Sequence, residues 1–180
     1  MLKLTEGLIV ALFWTFVITF VVFPAVVQDT SLSFMAGWEN EESWFVLTTL
    51  TLFNVCDTIG RYMAGLSCSQ LSRKATIVLN YLRSVFILTF ILTAFEVGPA
   101  WLFCSDWFKL TNIVLFAISN GWFSSLCAIY APDCVPQHAR GDAGALIHPS
   151  IVGGILLGSI FAIPMESLIK LTPKGKAQKS

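Results

Sequence analysis

Five stretches of this 180-residue chain, about residues 7–27, 43–66, 75–95, 109–131 and 143–169, each stay apolar over the roughly 20 residues needed to cross the hydrocarbon core of a bilayer. A chain that spans lipid must satisfy its backbone internally, and segments of this length do so as helices. Short polar links join the segments, and none is long enough to hold a soluble domain. Residues 1–180 therefore read as one membrane domain, with a lysine-rich tail over 170–180. The first stretch outruns the apolar region of a signal peptide and has Lys3 alone before it, so it is expected to stay as a transmembrane helix.

Composition agrees. Hydrophobic residues make up 56% of the chain and charged residues 12%, about half the charged share of soluble domains. Mean hydropathy is +0.75. Eleven basic and eleven acidic residues cancel, and no basic face points to a nucleic acid. Trp38, Trp44, Trp101 and Trp107 flank spans where interfacial anchors belong, although tryptophan is abundant throughout. Arg73 and Lys74 mark the loop after the second span as cytoplasmic in type, and Asp29, Glu39, Glu41 and Glu42 mark the preceding loop as its opposite. Five spans then put Lys170, Lys174, Lys176 and Lys179 across the membrane from Arg73, so loop charge does not fix the orientation.

No enzyme signature is present: there is no nucleophile elbow, phosphate-binding glycine loop or paired-histidine zinc motif. Cys56 and Cys127 lie in spans, and Cys68, Cys104 and Cys134 lie near loops. None has ligand spacing with another cysteine or with His138 or His148. Neither a metal nor a cofactor is expected, and the protein is not expected to be an enzyme.

The polar residues inside the spans carry the information, because an ionised side chain at the bilayer centre costs roughly 2.5–3.5 kcal/mol on insertion scales. In the second span Asp57 and Arg61 stand one helical turn apart, with Asn54 three residues earlier, giving an expected polar stripe. A guanidinium that donates and a carboxylate that accepts together suit a ligand with vicinal hydroxyls. The same residues also suit a closed ion pair that locks this helix to a neighbour. Arg83, about eight residues into the third span, is too deep to snorkel fully, so it is expected to face a cavity or an acidic partner. Ser119, Asn120, Gly121, Ser124 and Ser125 form a small polar patch on the fourth span. Gly144, Gly153, Gly154 and Gly158 line the fifth, with GxxxG at Gly154 and Gly158, and helix packing is their expected role. Pro149 and Pro164 are expected to kink that span.

These motifs also resemble, in order, the C-terminal half of the equilibrative nucleoside transporters. Thr19-Phe20-Val21-Val22-Phe23-Pro24-Ala25 resembles the start of that half. Phe53-Asn54 with Asp57 and Gly60-Arg61 is similar to the family's signature helix, and Leu82-Arg83-Ser84-Val85-Phe86 to the arginine-bearing helix after it. Ser119-Asn120-Gly121 with Ser125-Leu126-Cys127 resembles the next helix, and Ala143-Gly144-Ala145 the opening of the last. The resemblance runs over about residues 12–165 and implies an all-α integral membrane protein of the major-facilitator-like kind, with five of the family's eleven helices.

It further implies that Asp57 and Arg61, with Asn54 beside them, contact the ribose of a nucleoside, and that Arg83 lines or supports the central cavity. Alternating access needs two bodies, so the resemblance implies partners: a complementary N-terminal half or other membrane subunits, besides the bilayer and nucleosides. The expected role is an integral subunit with a structural or assembly function in a larger membrane complex. The alternative is facilitated nucleoside transport with a partner that supplies six helices. An organellar membrane, such as the mitochondrial inner membrane, and the plasma membrane are both compatible with the sequence.

Overall fold

A computed structural model describes residues 2–23, 40–66, 71–94 and 105–171, apart from the side chains of residues 2, 41, 42, 166 and 168–171. Trp38, Trp101, Cys68, Cys104, Pro24, Ala25, Asp29, Glu39, Lys174, Lys176 and Lys179 lie outside the described residues, as do the side chains of Glu41, Glu42 and Lys170. The described chain is helical, with no strand among its residues. Helices α1 (Leu2–Val22), α2 (Glu41–Ala64), α3 (Arg73–Leu82), α4 (Val85–Ala94), α5 (Asp106–Asp133), α6 (Arg140–Ala145) and α7 (Ile147–Leu171) follow in order, with a 3-10 turn at Gln137–Ala139.

Four helical stretches among the described residues are long and apolar enough to cross a membrane: Lys3–Val22, Arg73–Ala94, Asp106–Asp133 and Gln137–Met165. Helix α2 has the length, at 24 residues, but falls short of that apolarity. It is the helix that carries Asn54, Asp57 and Arg61.

Two of the expected spans are each built from two helices. The third divides at Arg83 and Ser84, where hydrogen bonds tighten to the i to i−3 kind: Arg83 N to Asn80 O (3.2 Å), Ser84 N to Tyr81 O (3.0 Å), Phe86 N to Arg83 O (2.9 Å) and Ile87 N to Ser84 O (3.1 Å). Neither proline nor glycine occurs there to announce it. The fifth divides at Leu146, between α6 and α7. Pro149 lacks the N–H that would bond to Ala145 O, so the helix restarts with this residue in its first turn. Pro164 lies inside α7, and the helix continues past it.

Helix α5 packs against α2, its most extensive partner, and also against α1, α3, α4 and α6, while α1 bridges α5 and α7. The α1–α7 contact depends on absent side chains. A methyl group on Gly154 would meet Phe13 O at 2.5 Å, and one on Gly158 would meet Val17 O at 2.7 Å and Phe20 Cβ at 2.8 Å. A methyl group on Gly144, by contrast, would meet nothing within 4 Å, so this glycine does not serve close packing among the described residues.

The apolar core gathers around Phe116, with the rings of Phe90, Phe86 and Phe53 at 5.3, 5.4 and 6.1 Å between centroids. An apolar cavity of about 450 Å³ opens between α1, α4 and α7, lined by residues that include Trp14, Ile87 and Phe161. The indole N–H of Trp14 is already given to Ser84 Oγ at 3.1 Å, so the cavity walls present little to a polar ligand.

Candidate functional site

The polar centre forms where α2 crosses α5, and two glycines make the crossing possible. A methyl group on Gly121 would overlap the Asp57 carbonyl oxygen and lie 2.9 Å from Arg61 N. One on Gly60 would overlap Ile118 O and lie 2.9 Å from Trp122 N. With neither methyl present, the two backbones meet, and Asn120, next to Gly121, comes within hydrogen-bond reach of Asp57, one turn before Gly60.

Asp57 points into this crossing. Its Oδ1 accepts from Asn120 Nδ2 at 2.7 Å, and its Oδ2 accepts from Arg61 Nε at 2.7 Å. The two members of the ion pair differ in exposure: the Asp57 side chain is 12% accessible and that of Arg61 is 48%. The pair is therefore open on the arginine side. On the aspartate side the pair also ties α2 to its neighbour α5, through Asn120. Arg61 makes the contact through Nε, and its side chain as a whole is half exposed.

Asn54 does not join them. Its side chain is exposed, and Nδ2 donates to Leu50 O of its own helix at 2.9 Å. Helix geometry gives the reason: at 100° per residue Asn54 and Arg61 lie about 20° apart around the axis, while Asp57 lies about 60° from Asn54 and 40° from Arg61. The expected stripe is split. Thr51, Asn54, Thr58 and Arg61 run along the exposed face, and Asp57 turns inward.

Arg83 is only 2% accessible and touches α5 throughout. Nε donates to Ser119 Oγ at 3.0 Å, Nη2 donates to Phe116 O at 3.3 Å and Asn120 Oδ1 at 3.4 Å, and the guanidinium carbon sits 5.1 Å from the centroid of the Phe116 ring. Nη1 is buried with no hydrogen-bond partner among the described residues. Ser119 and Asn120, expected as packing residues, thus supply polar partners to the two buried charges.

Three further residues complete the network. The Thr19 hydroxyl lies 2.7 Å from Asn120 Oδ1 and 2.8 Å from Thr15 O. One turn earlier, the Thr15 hydroxyl lies 2.8 Å from Asn80 Oδ1, and Asn80 Nδ2 donates to Ala11 O at 2.9 Å. Thr15, Thr19 and Asn80 were not foreseen from the sequence. Threonines in an apolar helix read as side chains that bond back to their own backbone. Asn80, an isolated amide three residues before Arg83, was the one legible signal. Cys56, Cys127 and Cys134 are buried free thiols, and among the described residues no group of three or more His, Cys, Asp or Glu stands ready to hold a metal ion.

A bundle of long apolar helices with charged residues buried between them is that of an integral membrane protein, and sequence comparison is more specific. The chain matches the family described as Nucleoside transporter over residues 1–167, and it belongs to that family as an integral membrane protein. It is 30% identical over 161 residues to equilibrative nucleoside transporter 2 of Rattus norvegicus, covering 86% of this chain and 34% of that protein. It is 28% identical over 156 residues to equilibrative nucleoside transporter 4 of Homo sapiens, covering 87% and 28%. With nucleoside transporter 1 of Crithidia fasciculata it shares 22% identity over 174 residues, covering 93% and 32%. The chain spans about a third of the length of the curated relatives it matches.

Proposed function

We propose that this chain forms one wall of a permeation path for nucleosides, with Arg61 and Asp57 holding the ribose hydroxyls. The observation that carries this reading is the half-exposed Arg61 guanidinium, held by a buried carboxylate on a helix whose outer face bears Thr51, Asn54 and Thr58. An ionised side chain in such a place is costly against lipid and is normally turned to protein or to a water-filled path. The guanidinium can donate to one hydroxyl of a vicinal pair while the carboxylate accepts from the other.

The five helical spans make up one body, and alternating access requires a second. That body would come from helices matching the rest of the relatives' length, on the same polypeptide or on another. In this reading the permeant is a nucleoside, no cofactor is used and the bilayer is the solvent.

The test is saturable uptake of labelled uridine into vesicles that hold the protein in its native assembly, comparing wild type with Asp57→Ala and Arg61→Ala at matched membrane abundance. Uptake by wild type that both substitutions abolish is the expected result, and unchanged uptake in either would remove that residue from the site. The native particle, extracted in mild detergent, should be small, holding this chain with its complementary helices. A stoichiometric particle of many unrelated subunits without uptake would instead assign the chain a structural and assembly role, with the polar face sealed by those subunits.

A further inference from the structure

We infer that Asn120 is the positioning residue for the ribose site: its amide, held by Arg83 and Thr19, fixes the Asp57 carboxylate so that one oxygen stays with α5 and the other faces Arg61. This rests on the proposed nucleoside site and assigns roles within it. Arg83 then acts on the permeant through Asn120 and does not touch it.

The argument starts from the neighbours of the amide. A carboxylate oxygen lies 2.7 Å from one end of the Asn120 side chain, and a guanidinium nitrogen lies 3.4 Å from the other. A carboxylate only accepts and a guanidinium only donates, so these two charges fix the amide with Nδ2 on Asp57 and Oδ1 on Arg83. The reversed amide would set oxygen against oxygen at one end and N–H against N–H at the other. The Thr19 hydroxyl, 2.7 Å from the same Oδ1, adds a contact from α1. Asn120 is buried, as are Asp57, Thr19 and Arg83, so water does not readily replace a lost partner.

The consequence for Asp57 is geometric. With Oδ1 taken by Asn120, the carboxylate cannot rotate away from Arg61 without breaking a charge-assisted bond. The pair is held ready for two adjacent hydroxyls. Arg83, turned to Ser119, Phe116 and Asn120, has the contacts of a support for that arrangement.

Uptake of uridine and of 2′,3′-dideoxyuridine, which lacks both ribose hydroxyls of the pair, separates positioning from mere structure. In the complete transporter, Asn120→Ala should raise KM for uridine about tenfold, the size expected when a buried polar partner is removed. It should leave KM for dideoxyuridine unchanged. In an Asp57→Asn background, Asn120→Ala should change KM for uridine no further, because its effect passes through Asp57. An equal KM rise for both permeants, or a fall in Vmax alone, would overturn the inference while leaving the ribose site in place. Failure of wild type to take up uridine would overturn the site and the inference together. Should Asn120→Ala not reach the membrane, Thr19→Val keeps the β-branched shape and removes the hydroxyl. It should raise KM for uridine about threefold and leave dideoxyuridine alone, by weakening one neutral contact, and an unchanged KM for uridine would count against the inference.

Discussion

Asp57 and Arg61 share one hydrogen bond and yet should respond differently to removal. Arg61 is half exposed, so the pair resembles a surface ion pair from its side, and Arg61→Ala should cost at most about 1 kcal/mol of stability. Asp57→Ala strands the Nδ2 donor of the buried Asn120, a loss of about 1–3 kcal/mol. Thermal unfolding of the purified protein in detergent would show this as a clearly lower Tm for the aspartate variant only. Equal shifts would mean that the two side chains are equally buried. The contact itself was legible in the sequence, since an i, i+4 acid and base on a helix can hardly avoid each other. The rotation of α2 that hides Asp57 and exposes Asn54 was not, because it depends on which face α5 covers. Asn120 was visible as a small polar residue in a span, but its place between two buried charges depends on three other helices.

Between elements, the α2–α5 crossing is the contact with least room. Gly121→Ala places a methyl group on the Asp57 carbonyl oxygen, backbone against backbone, so the helices must separate. A loss of about 1–3 kcal/mol follows, typical of overpacking. Gly144→Ala is the natural control. Nothing lies within 4 Å of the added methyl, and exchanging glycine for alanine within a helix should be neutral or stabilising by up to about 1 kcal/mol. Melting curves of the two variants should therefore move apart, and a shared loss would show that α6 packs more tightly than it does here. The glycine pattern announced close packing on α7 but not its partner, which is α1, where Gly154 and Gly158 seat Phe13 and Val17. It gave equal weight to Gly144, since glycine spacing carries no record of which neighbour arrives. The break between α3 and α4 left no mark either, since neither proline nor glycine stands at or beside Arg83 and Ser84.

Across the whole molecule, exposed faces differ in chemistry. Val152, Leu156, Ile160 and Ile163 on α7 are apolar and suited to lipid, whereas on α2 Thr51, Thr58 and Arg61 are exposed among Leu47, Val55 and Ile59, which makes that face mixed. Single cysteines at Thr51 and Thr58 should react with a membrane-impermeant thiol reagent, in a background where Cys68 and Cys104 are serine, and cysteines at Leu156 and Ile160 should not. Nucleoside in the medium should slow the reaction at Thr58. Labelling of the α7 positions alone would reverse the assignment of faces. The membrane character of the bundle was plain from length and apolarity, yet the helix that matters most is the one that falls short on apolarity. That shortfall reaches back to how the protein is made. Helix α2 leaves the ribosome before α5 exists, carrying Asp57 beyond its midpoint and Arg61 in its last turn, charges that resist entry into lipid by up to roughly 2.5–3.5 kcal/mol at a helix centre and by less toward its ends. The partner that shields Asp57 in the folded chain, Asn120, is made only later, so the carboxylate is covered only once α5 has come up against α2 at Gly60 and Gly121.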